Sequence, residues 1–541
     1  MLHSLTNLLL PDLLLATVAC VLILMGCSMK ISTRKLAPML AMGALAIVFL
    51  IQVGRQGSDN TAAKASFDKE VMSTLRLHNF AQYIKLLAAG IGMMLLLLNW
   101  PTNATANGNN SFNVGQETGE YFGLFLLSIT GLFLVAGAND IILLFLGIEL
   151  ASIPTYIMVS ISRPNPVAQE AGVKYFFLGA MSAAVMLFGF SYLYGTTGSI
   201  YLDEIARIFR SALSGASKTN AEITMRPWMM LAVVLLIVGF AFKLAAAPFQ
   251  VYVADVYQGA ATPLTAFLSF VPKAAGMVAL IKILYAAGGT TWQLPRQIGT
   301  LLWVLAVLTM SFGNVLGLLQ TNVKRMLAYS SVAHSGYMLT GIATLCGAAS
   351  AGNSDPGPLQ STALQGVIFY LTAYGIMNTA IFGVLMLLPS RDSRFGKSAE
   401  TLDDIAGQGK RHLMLGICMA IGCFSLIGMP LTVGFIGKIM LIKPALSGGY
   451  NWLVVLTMIN AAISAAYYLR IVSVMFFGKP SFDLPEDAKP AHCTHPLPVM
   501  VAIGVSVLAS LLLGTLLPLT QILTSGSGTA ATVDSGVIKT K

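Results

Sequence analysis

The sequence predicts an all-α polytopic membrane protein with about 14 transmembrane helices. Of its 541 residues, 56% are apolar and only 10% are charged, which is far outside the averages of soluble domains. Apolar runs of about 20 residues recur from end to end, and each can cross a hydrocarbon core of roughly 30 Å. The pattern Gly-Phe-x-x-Lys occurs twice inside such runs, at 239–243 and 434–438, which indicates two duplicated units.

In chain order, the predicted spans lie near 8–28, 36–53, 80–99, 119–138, 140–161, 170–194, 228–248, 262–285, 297–319, 326–346, 363–389, 411–437, 451–477 and 496–520. The first span lacks a preceding basic stretch and an obvious cleavage site, so we expect a retained helix rather than a signal peptide. The polar segments 99–119 and 390–410 predict loops. The small, polar tail 524–541 is expected to be mobile.

One stretch between the sixth and seventh spans differs from the others. Over about 200–213, apolar residues keep helical spacing, while Asp203, Glu204, Arg207 and Arg210 supply a charged face. This pattern predicts an amphipathic helix that lies in the membrane interface.

The charge and the motifs limit the possible partners. The formal charge of +10 is spread over the loops, which favours contact with a lipid bilayer and not with nucleic acid. No G-x-x-x-x-G-K-[ST] loop and no G-x-G-x-x-G fingerprint is present, so we expect neither ATP nor a nicotinamide to bind here. The six cysteines include no C-x-x-C pair, and we expect them to pack as apolar residues rather than hold a metal centre. No cofactor is therefore expected in this chain.

Basic residues give a weak prediction of orientation. Those at 30–35 and 391–397 favour a cytoplasmic side for their loops. Arg207, Arg210 and Lys218 fall on the opposite side and weaken this bias. An even number of helices would place both termini outside.

Four ionisable residues lie well inside the predicted spans: Glu149, Lys243, Lys273 and Lys438. A charge at the bilayer centre costs roughly 2.5–3.5 kcal/mol on insertion scales, so it is rarely there without a function. Burial lowers the pKa of a lysine, and a nearby carboxylate raises it. A glutamate about 7 Å from a lysine, in an effective dielectric near 20, contributes roughly 2.4 kcal/mol, which is about one to two pKa units.

We expect Glu149 to pair with Lys243, and Lys273 to lie further along a water-bridged proton relay. Lysine suits this role because arginine holds its proton too firmly. A static set of ion pairs between helices is the alternative. Pro248 and Pro430 flank the two lysine helices and predict helix breaks, because proline removes an intrahelical hydrogen bond. Such breaks are tolerated where the backbone lines a watery cavity.

His334, in the segment AYSSVAHSGYML, is a further candidate for the proton pathway, because an imidazole titrates near neutral pH. A histidine that only links helices by hydrogen bonds explains it equally well. Lys174, Arg470, Asp140 and Lys282 lie near predicted helix ends, where we expect terminal charges that reach the interface.

Six segments carry a family resemblance: GANDIILLFLGIELASIPTYIM, EAGVKYFFLGAMSAA, GFAFKLAAAPFQ, VADVYQGAATPLTAFLSFVPKAAG, KRMLAYSSVAHSGYML and GMPLTVGFIGK. From about 8 to 518, and in the same order, the chain resembles the subunit N family of bacterial proton-translocating NADH-quinone oxidoreductase (respiratory complex I). That family belongs with the antiporter-like subunits, which are similar to subunits of multisubunit Na⁺/H⁺ antiporters.

The resemblance implies 14 helices in two inverted five-helix repeats, with the seventh and the twelfth helix broken. It divides the chain into an N-terminal three-helix segment (1–118), a first repeat (119–285), a second repeat (297–477), a last helix (496–520) and the tail (524–541). By motif, Glu149 matches the fifth-helix glutamate, Lys243 the seventh-helix lysine, Lys273 the eighth-helix lysine and Lys438 the twelfth-helix lysine.

The resemblance also implies a function. The chain would be a proton-translocating subunit in the bacterial inner (plasma) membrane, with other membrane and peripheral subunits of complex I as partners. NADH, FMN, iron–sulfur clusters and quinone are then expected in those partners, with no redox active site here. A subunit of a multisubunit cation/proton antiporter and a non-conducting structural subunit are the alternatives.

The chain departs from the family after the seventh helix. Gln250 and Gln258 stand where the family usually has histidine and glutamate, and neither can titrate. Since all four core charges are present, we expect a competent channel whose proton entry is tuned differently near this loop.

Overall fold

The computed structural model describes residues 2–28, 36–56, 79–101, 118–163, 165–216, 227–289, 292, 294–347, 357–388, 399–479 and 497–515. Within these ranges the chain is helical apart from turns and two isolated β-bridges. Several features of the sequence lie outside the described residues: the basic stretches at 30–35 and 391–397, Lys218, the tail 524–541 and most of the two expected loops, taken together. The orientation therefore stays a prediction.

Three helices precede the first repeat: α1 (Leu2–Gly26), α2 (Ala37–Gln56) and α3 (Asn79–Leu98). Each contains a window that is long and apolar enough to cross a membrane, as expected for helices whose outer surface meets lipid. α1 packs against the first helix of the first repeat, and α3 contacts the last helix of the chain.

The first repeat contains α4 (Thr118–Gly137), α5 (Ile141–Ile161), α6 (Pro166–Thr197), α8 (Pro227–Lys243) and α10 (Thr262–Gly288). Side-chain caps fix where two of them begin. Asp140 caps α5 and Asn165 caps α6, and each accepts the N–H of the residue three positions later, as N-cap residues do. The amphipathic stretch forms α7 (Leu202–Ala216), between α6 and α8.

The second repeat contains α11 (Arg296–Leu318), α12 (Val323–Gly347), α13 (Gly357–Leu387), the pair α16 (Leu413–Ile427) and α17 (Val433–Ser447), and α18 (Asn451–Phe477). Two short helices, α14 (Leu402–Ile405) and α15 (Gln408–Arg411), precede α16, and α19 (Leu497–Thr515) is last. Since five crossings are an odd number, the second repeat enters the membrane from the opposite side and is inverted.

Eleven helices of the described residues are long and apolar enough to cross a membrane. α12 has 25 residues but is more polar, and two further crossings are each interrupted. With these three, the number of crossings reaches 14. The predicted all-α polytopic fold is confirmed.

The seventh crossing is interrupted directly after Lys243. Residues 244–249, which include Pro248, are not helical, and a 3₁₀ turn (Gln250–Tyr252) and α9 (Val253–Gly259) complete the crossing. The freed Ala247 N–H donates to Thr309 Oγ1 of α11 at 3.0 Å. The second repeat therefore satisfies a backbone group that the break exposes, as a membrane interior requires.

The twelfth crossing is interrupted between Ile427 and Val433, in a segment that contains Pro430. Gly428 ends α16 with φ of 85°, in the left-handed region that glycine adopts at little cost. The predicted span 411–437 is wrong at its end, because the crossing continues to Ser447. The lysines at 438 and 443 lower the local hydropathy, so the apolar pattern does not reveal this half of the crossing.

The two Gly-Phe-x-x-Lys frames occupy different places in their crossings. Lys243 is the last residue of the half-helix before its break, whereas Lys438 lies inside the half-helix that follows its break. The sequence repeat is therefore not a structural equivalence.

The centre of the molecule is formed by α10 and α13. The apolar window of each is completely buried by other helices, whereas that of α1, α6 or α19 is only one-third buried. Lys273 is on α10, so protein and not lipid surrounds its charge.

Candidate functional site

Glu149 and Lys243 form a buried couple between α5 and α8. Lys243 Nζ lies 3.1 Å from Glu149 Oε1, and the two side chains are only 15% and 4% exposed. Lys243 also donates to Ser152 Oγ at 3.0 Å and to Tyr156 OH at 3.1 Å. The three N–H bonds of the ammonium thus have one charged and two neutral acceptors. The structure brings together the pair that the sequence predicts.

Lys273 is buried without a matching carboxylate. Its Nζ donates to Ser331 O at 2.7 Å, Ser331 Oγ at 2.5 Å and Ser335 Oγ at 3.2 Å. Among the described residues, the salt bridges include none to Lys273. Neutral groups of α12 therefore compensate the charge of Lys273, whereas Glu149 compensates the charge of Lys243.

A small cavity separates these two lysines. Its volume is about 10 Å³, and Lys243, Lys273, Tyr175, Tyr252 and Tyr257 are among its lining residues. This is close to the smallest space that holds one water molecule, and the lining offers polar partners for it.

His334 lies on α12, three residues after Ser331, and is 1% exposed. Its Nδ1 is 2.7 Å from Tyr370 OH and its Nε2 is 3.2 Å from Tyr468 OH. Tyr468 OH in turn bonds Ser330 Oγ. The imidazole thus joins hydroxyl groups of α13 and α18 beside the acceptors of Lys273.

Lys438 is held by the break in the twelfth crossing. Its Nζ donates to Leu426 O at 3.1 Å and to Ile427 O at 2.7 Å, the last carbonyls of α16. The ammonium lies 5.0 Å from the ring centroid of Tyr337. Carbonyls at a helix C-terminus carry partial negative charge, so the break supplies the compensation for this lysine.

A polar network continues from Tyr337 towards α18. Asn314 Nδ2 donates to Tyr337 OH at 3.1 Å and to Asn460 Oδ1 at 3.1 Å, and Tyr467 OH donates to Asn314 Oδ1 at 3.1 Å. Sequence reasoning missed this network, although asparagine inside an apolar span is a recognisable signal.

A cavity of about 350 Å³ lies where α12 ends and α11 and α18 begin. Gly347, Arg296, Tyr450 and Leu453 are among its lining residues. The polar face of α18 leads towards it, with Asn460 and Thr457 buried on the way.

The described residues bury further charges besides those that the sequence placed well inside the spans. Lys85 Nζ bonds both Asp12 carboxylate oxygens, at 2.8 Å and 2.6 Å, with both residues almost fully buried. Lys324 is completely buried, and Asp140 is 3% exposed rather than at the interface. Hydropathy missed these charges because each belongs to the first or last turns of an apolar run. Asp12, Lys85 and Lys324 find their partners across helices.

The two departures from the family occupy the second half of the seventh crossing. Arg325 Nη1 donates to Gln258 Oε1 at 2.9 Å and to Asp255 Oδ1 at 2.8 Å. Gln258 therefore keeps an acceptor for Arg325 but contributes no charge. Gln250 is 8% exposed, and its Oε1 has no hydrogen-bond partner among the described residues.

Comparison with known proteins gives a consistent family. Residues 138–464 match the model described as "NADH:quinone oxidoreductase/Mrp antiporter, TM", a range that contains Glu149, Lys243, Lys273, His334 and Lys438. The chain is 35% identical over 518 residues to NADH-quinone oxidoreductase subunit N of Trichlorobacter lovleyi, with 94% of each chain covered. It is 38% identical over 414 residues to NADH-quinone oxidoreductase subunit N 2 of Roseiflexus castenholzii, with 76% of this chain and 77% of the relative covered.

Solved structures agree with these relatives. A chain of respiratory complex I from Thermus thermophilus has a TM-score of 0.69 at 26% identity, covering 94% of this chain and 98% of that one. A chain of the Mrp complex from Dietzia sp. has a TM-score of 0.75 at 20% identity, covering 98% and 97%. The second likeness concerns the fold alone.

Proposed function

We propose a proton route for this chain, which belongs to the NADH:quinone oxidoreductase/Mrp antiporter membrane family and, within it, to the N subunits of NADH-quinone oxidoreductase. The chain is a multi-pass membrane subunit of bacterial respiratory complex I. In this proposal, protons cross through Glu149, Lys243, Lys273, His334 and Lys438. NADH oxidation and quinone reduction, with FMN, iron–sulfur clusters and quinone, take place in partner subunits and drive the movement.

The observation that carries the proposal is the contrast between Lys243 and Lys273. Lys243 contacts a carboxylate, while Lys273 contacts only serine oxygens, and a cavity with room for about one water lies between them. If Glu149 moves away, Lys243 loses its charged partner and holds its proton less firmly. A proton can then pass through the water towards Lys273.

The second half of the route uses neutral groups. Ser331 contacts Lys273 directly and Tyr257 OH at 3.1 Å, and His334 lies one helical turn further along α12. Serine, tyrosine and imidazole groups can each accept one proton while they donate another. Lys438, beside Tyr337 and the carbonyls of α16, would be the last residue of this route.

Two buried-charge variants test the route in the assembled complex: Glu149→Gln and Lys273→Ala. We expect proton pumping to fall sharply in both, and NADH-driven quinone reduction to fall with it, because the two steps are coupled. The control is Glu170→Gln, the same chemical change at a glutamate whose side chain is 64% exposed. Normal pumping in both buried variants would refute the relay.

The antiporter alternative has weaker support. Relatives that match most of the chain are N subunits, whereas the Mrp likeness concerns the fold. A sodium site needs several converging oxygen ligands. Besides Glu149, the described part of the chain buries Asp12, Asp140 and Asp404, yet within it no three His, Cys, Asp or Glu residues converge on a point.

A further inference from the structure

Buried charges outside this route gather where α4 ends and α5 begins. Asp140 is 3% exposed, and its Oδ1 accepts the N–H of Leu143 at 2.7 Å as the cap of α5. Its Oδ2 is buried and has no hydrogen-bond partner within the described ranges. A carboxylate with one satisfied and one unsatisfied buried oxygen requires a further partner, which can be water or a proton.

Lys282 of α10 reaches the same corner. Its Nζ donates to Ala136 O and to Ala138 O, at 2.6 Å each. These carbonyls end α4, so Lys282 has neutral acceptors, while its charge also interacts with the nearby Asp140 and Lys85. Lysine and carboxylate thus lie close together without a direct ion pair, unlike Lys243 and Glu149.

The other charges around this corner come from every neighbouring element. Asp12 of α1 and Lys85 of α3 form a closed pair at 2.6 Å, and Arg55 at the end of α2 interacts with Asp12. On α7, Asp203 accepts a hydrogen bond from Asn139, the neighbour of Asp140, while Glu204 contacts Ser199 and Arg207. The charges of Asp12 and Lys85 compensate each other. Asp140 and Lys282 are therefore the couple at this corner whose number of bound protons can change.

The amphipathic helix α7, which we expect to lie in the membrane interface, is linked to this corner by hydrogen bonds. Ile141 N donates to Ile200 O at 3.0 Å, and Leu202 N donates to Asn139 O at 2.9 Å. Asn139 Nδ2 donates to Asp203 Oδ2 at 3.0 Å, and the neighbouring Glu204 side chain is 47% exposed. The exposed Glu204 is therefore the sequence neighbour of Asp203, and Asp203 is hydrogen-bonded to Asn139, the residue before the buried Asp140.

We propose that Asp140 Oδ2 and Lys282 Nζ form a second proton-binding couple, loaded from the membrane surface beside α7. A proton from surface water binds Asp140 Oδ2, and the Asp140 carboxylate becomes neutral while Lys282 stays an ammonium. The reverse step returns the proton to the same surface. This inference rests on the proposed function, because the couple acts on the proton route.

Two helices link the couple to the route. α5 carries both Asp140 and Glu149, and α10 carries both Lys282 and Lys273, in each case nine residues apart. Nine residues span about 13.5 Å of helix, which is too far for a direct proton transfer. The charge of Asp140 is felt at that distance through a protein interior of low dielectric, so its protonation changes how firmly the route holds its protons.

The competing explanation is purely structural, with Asp140 as a cap of α5 and Lys282 as a cap of α4. Asp140→Asn and Asp140→Ser separate the two, because asparagine and serine cap helices about as well as aspartate but do not take up a proton here. In the assembled complex, we expect normal assembly with pumping reduced about fivefold, from the electrostatic coupling over 13.5 Å. The alkaline limb of the pH–rate profile should move to lower pH, because a lost negative charge disfavours protonated lysines.

The matched control for Asp140 is Asp404→Asn, since Asp404 is also a buried capping carboxylate, in the box with Thr401 that begins α14. This control should assemble and pump as the unmodified complex does.

The outcomes are separable. Unmodified pumping and pH profile in both Asp140→Asn and Asp140→Ser would overturn the proposal and leave the structural explanation. If one of the two fails to assemble, the other decides. Glu149→Gln and Lys273→Ala measured in parallel test the route itself, because normal pumping in both, with an altered Asp140→Asn complex, would refute the proposed function and not proton binding by Asp140.

Discussion

The lysines of the proposed route differ in what compensates their charge. Lys243 has Glu149, Lys273 has serine oxygens, and Lys438 has the carbonyls that end α16. A carboxylate stabilises an ammonium more than neutral groups do. In the proposed route, movement of Glu149 would therefore change the compensation of Lys243 but not that of Lys273 or Lys438.

Lys243→Arg tests whether this lysine must release its proton. The guanidinium keeps the pairing with Glu149 but does not deprotonate in proteins, so we expect pumping to fall about tenfold or more. The measurement is proton pumping and NADH-driven quinone reduction in the assembled complex.

Lys85→Arg is the matched control, because Lys85 belongs to a buried lysine–carboxylate pair outside the route. It should pump normally. Equal, undisturbed rates in both variants would mean that the Glu149–Lys243 pair is static.

Tyr468→Phe tests the hydroxyl that joins His334 to Ser330. The change removes a proton carrier and keeps the ring, so we expect pumping to fall several-fold, with a loss of stability of about 1 kcal/mol. Tyr121→Phe removes an equally buried hydroxyl, which donates to Asn99 Oδ1 at 2.6 Å in the N-terminal segment. A similar fall in pumping in the two variants would contradict a specific role for Tyr468.

The two interrupted crossings place lysines beside backbone groups that make no intrahelical hydrogen bond. The seventh break follows Lys243, and the twelfth break precedes Lys438 and presents the last carbonyls of α16 to it. An uninterrupted α16–α17 helix would use those carbonyls for its own hydrogen bonds. The break therefore supplies the carbonyl acceptors that compensate the charge of Lys438 inside the membrane.

Gly428→Ala tests this dependence. Gly428 has φ of 85°, and a Cβ there would lie 2.9 Å from Lys438 Cδ. We expect backbone strain of about 1–2 kcal/mol and a displaced Lys438, with reduced pumping in the assembled complex. Gly449→Ala is the matched control, because Gly449 has φ of 79° but no atom within 4 Å of its Cβ position. A Gly428→Ala complex that pumps like Gly449→Ala would refute a role for the position of Lys438.

At the scale of the whole molecule, ionic contacts join the two repeats around α9. Lys324 of α12 donates to Ala260 O at 2.6 Å, and Arg325 bonds Asp255 and Gln258. Glu400, before α14, contacts Arg163 at 2.6 Å. The second half of the seventh crossing is therefore tied to the second repeat, and we expect a movement at the first break to reach α12, which contacts Lys273.

Gln258→Glu tests these contacts and the departure from the family. A carboxylate at 258 gives Arg325 a charged acceptor in place of a neutral one, in an environment where the Arg325 side chain is 28% exposed. We expect a gain in stability of about 0.2–1 kcal/mol, measured as a higher Tm of the solubilised complex, with pumping retained. A lower Tm would mean that repulsion from Asp255 exceeds the new attraction.

The sequence predicted the helices well because crossing a membrane requires an apolar run of fixed length, which is a local property. The sequence also predicted the pairing of Glu149 with Lys243 across 94 residues, because a lysine inside an apolar span needs a carboxylate nearby to keep its charge. It failed at the second half of the twelfth crossing, where Lys438 and Lys443 lower the hydropathy, and at Asp12 and Lys85, where neither residue reveals its partner.

By itself, then, the sequence determined the number of crossings, and it placed Lys243, Lys273 and Lys438 inside them and Lys282 near a helix end. Only the tertiary structure decided what surrounds each of them: a carboxylate for Lys243, serines of α12 for Lys273, the end of α16 for Lys438 and the corner with Asp140 for Lys282. The reason is that hydropathy sums over neighbours along the chain, whereas a buried charge is stabilised by whichever distant groups the packed helices bring within about 3 Å of it.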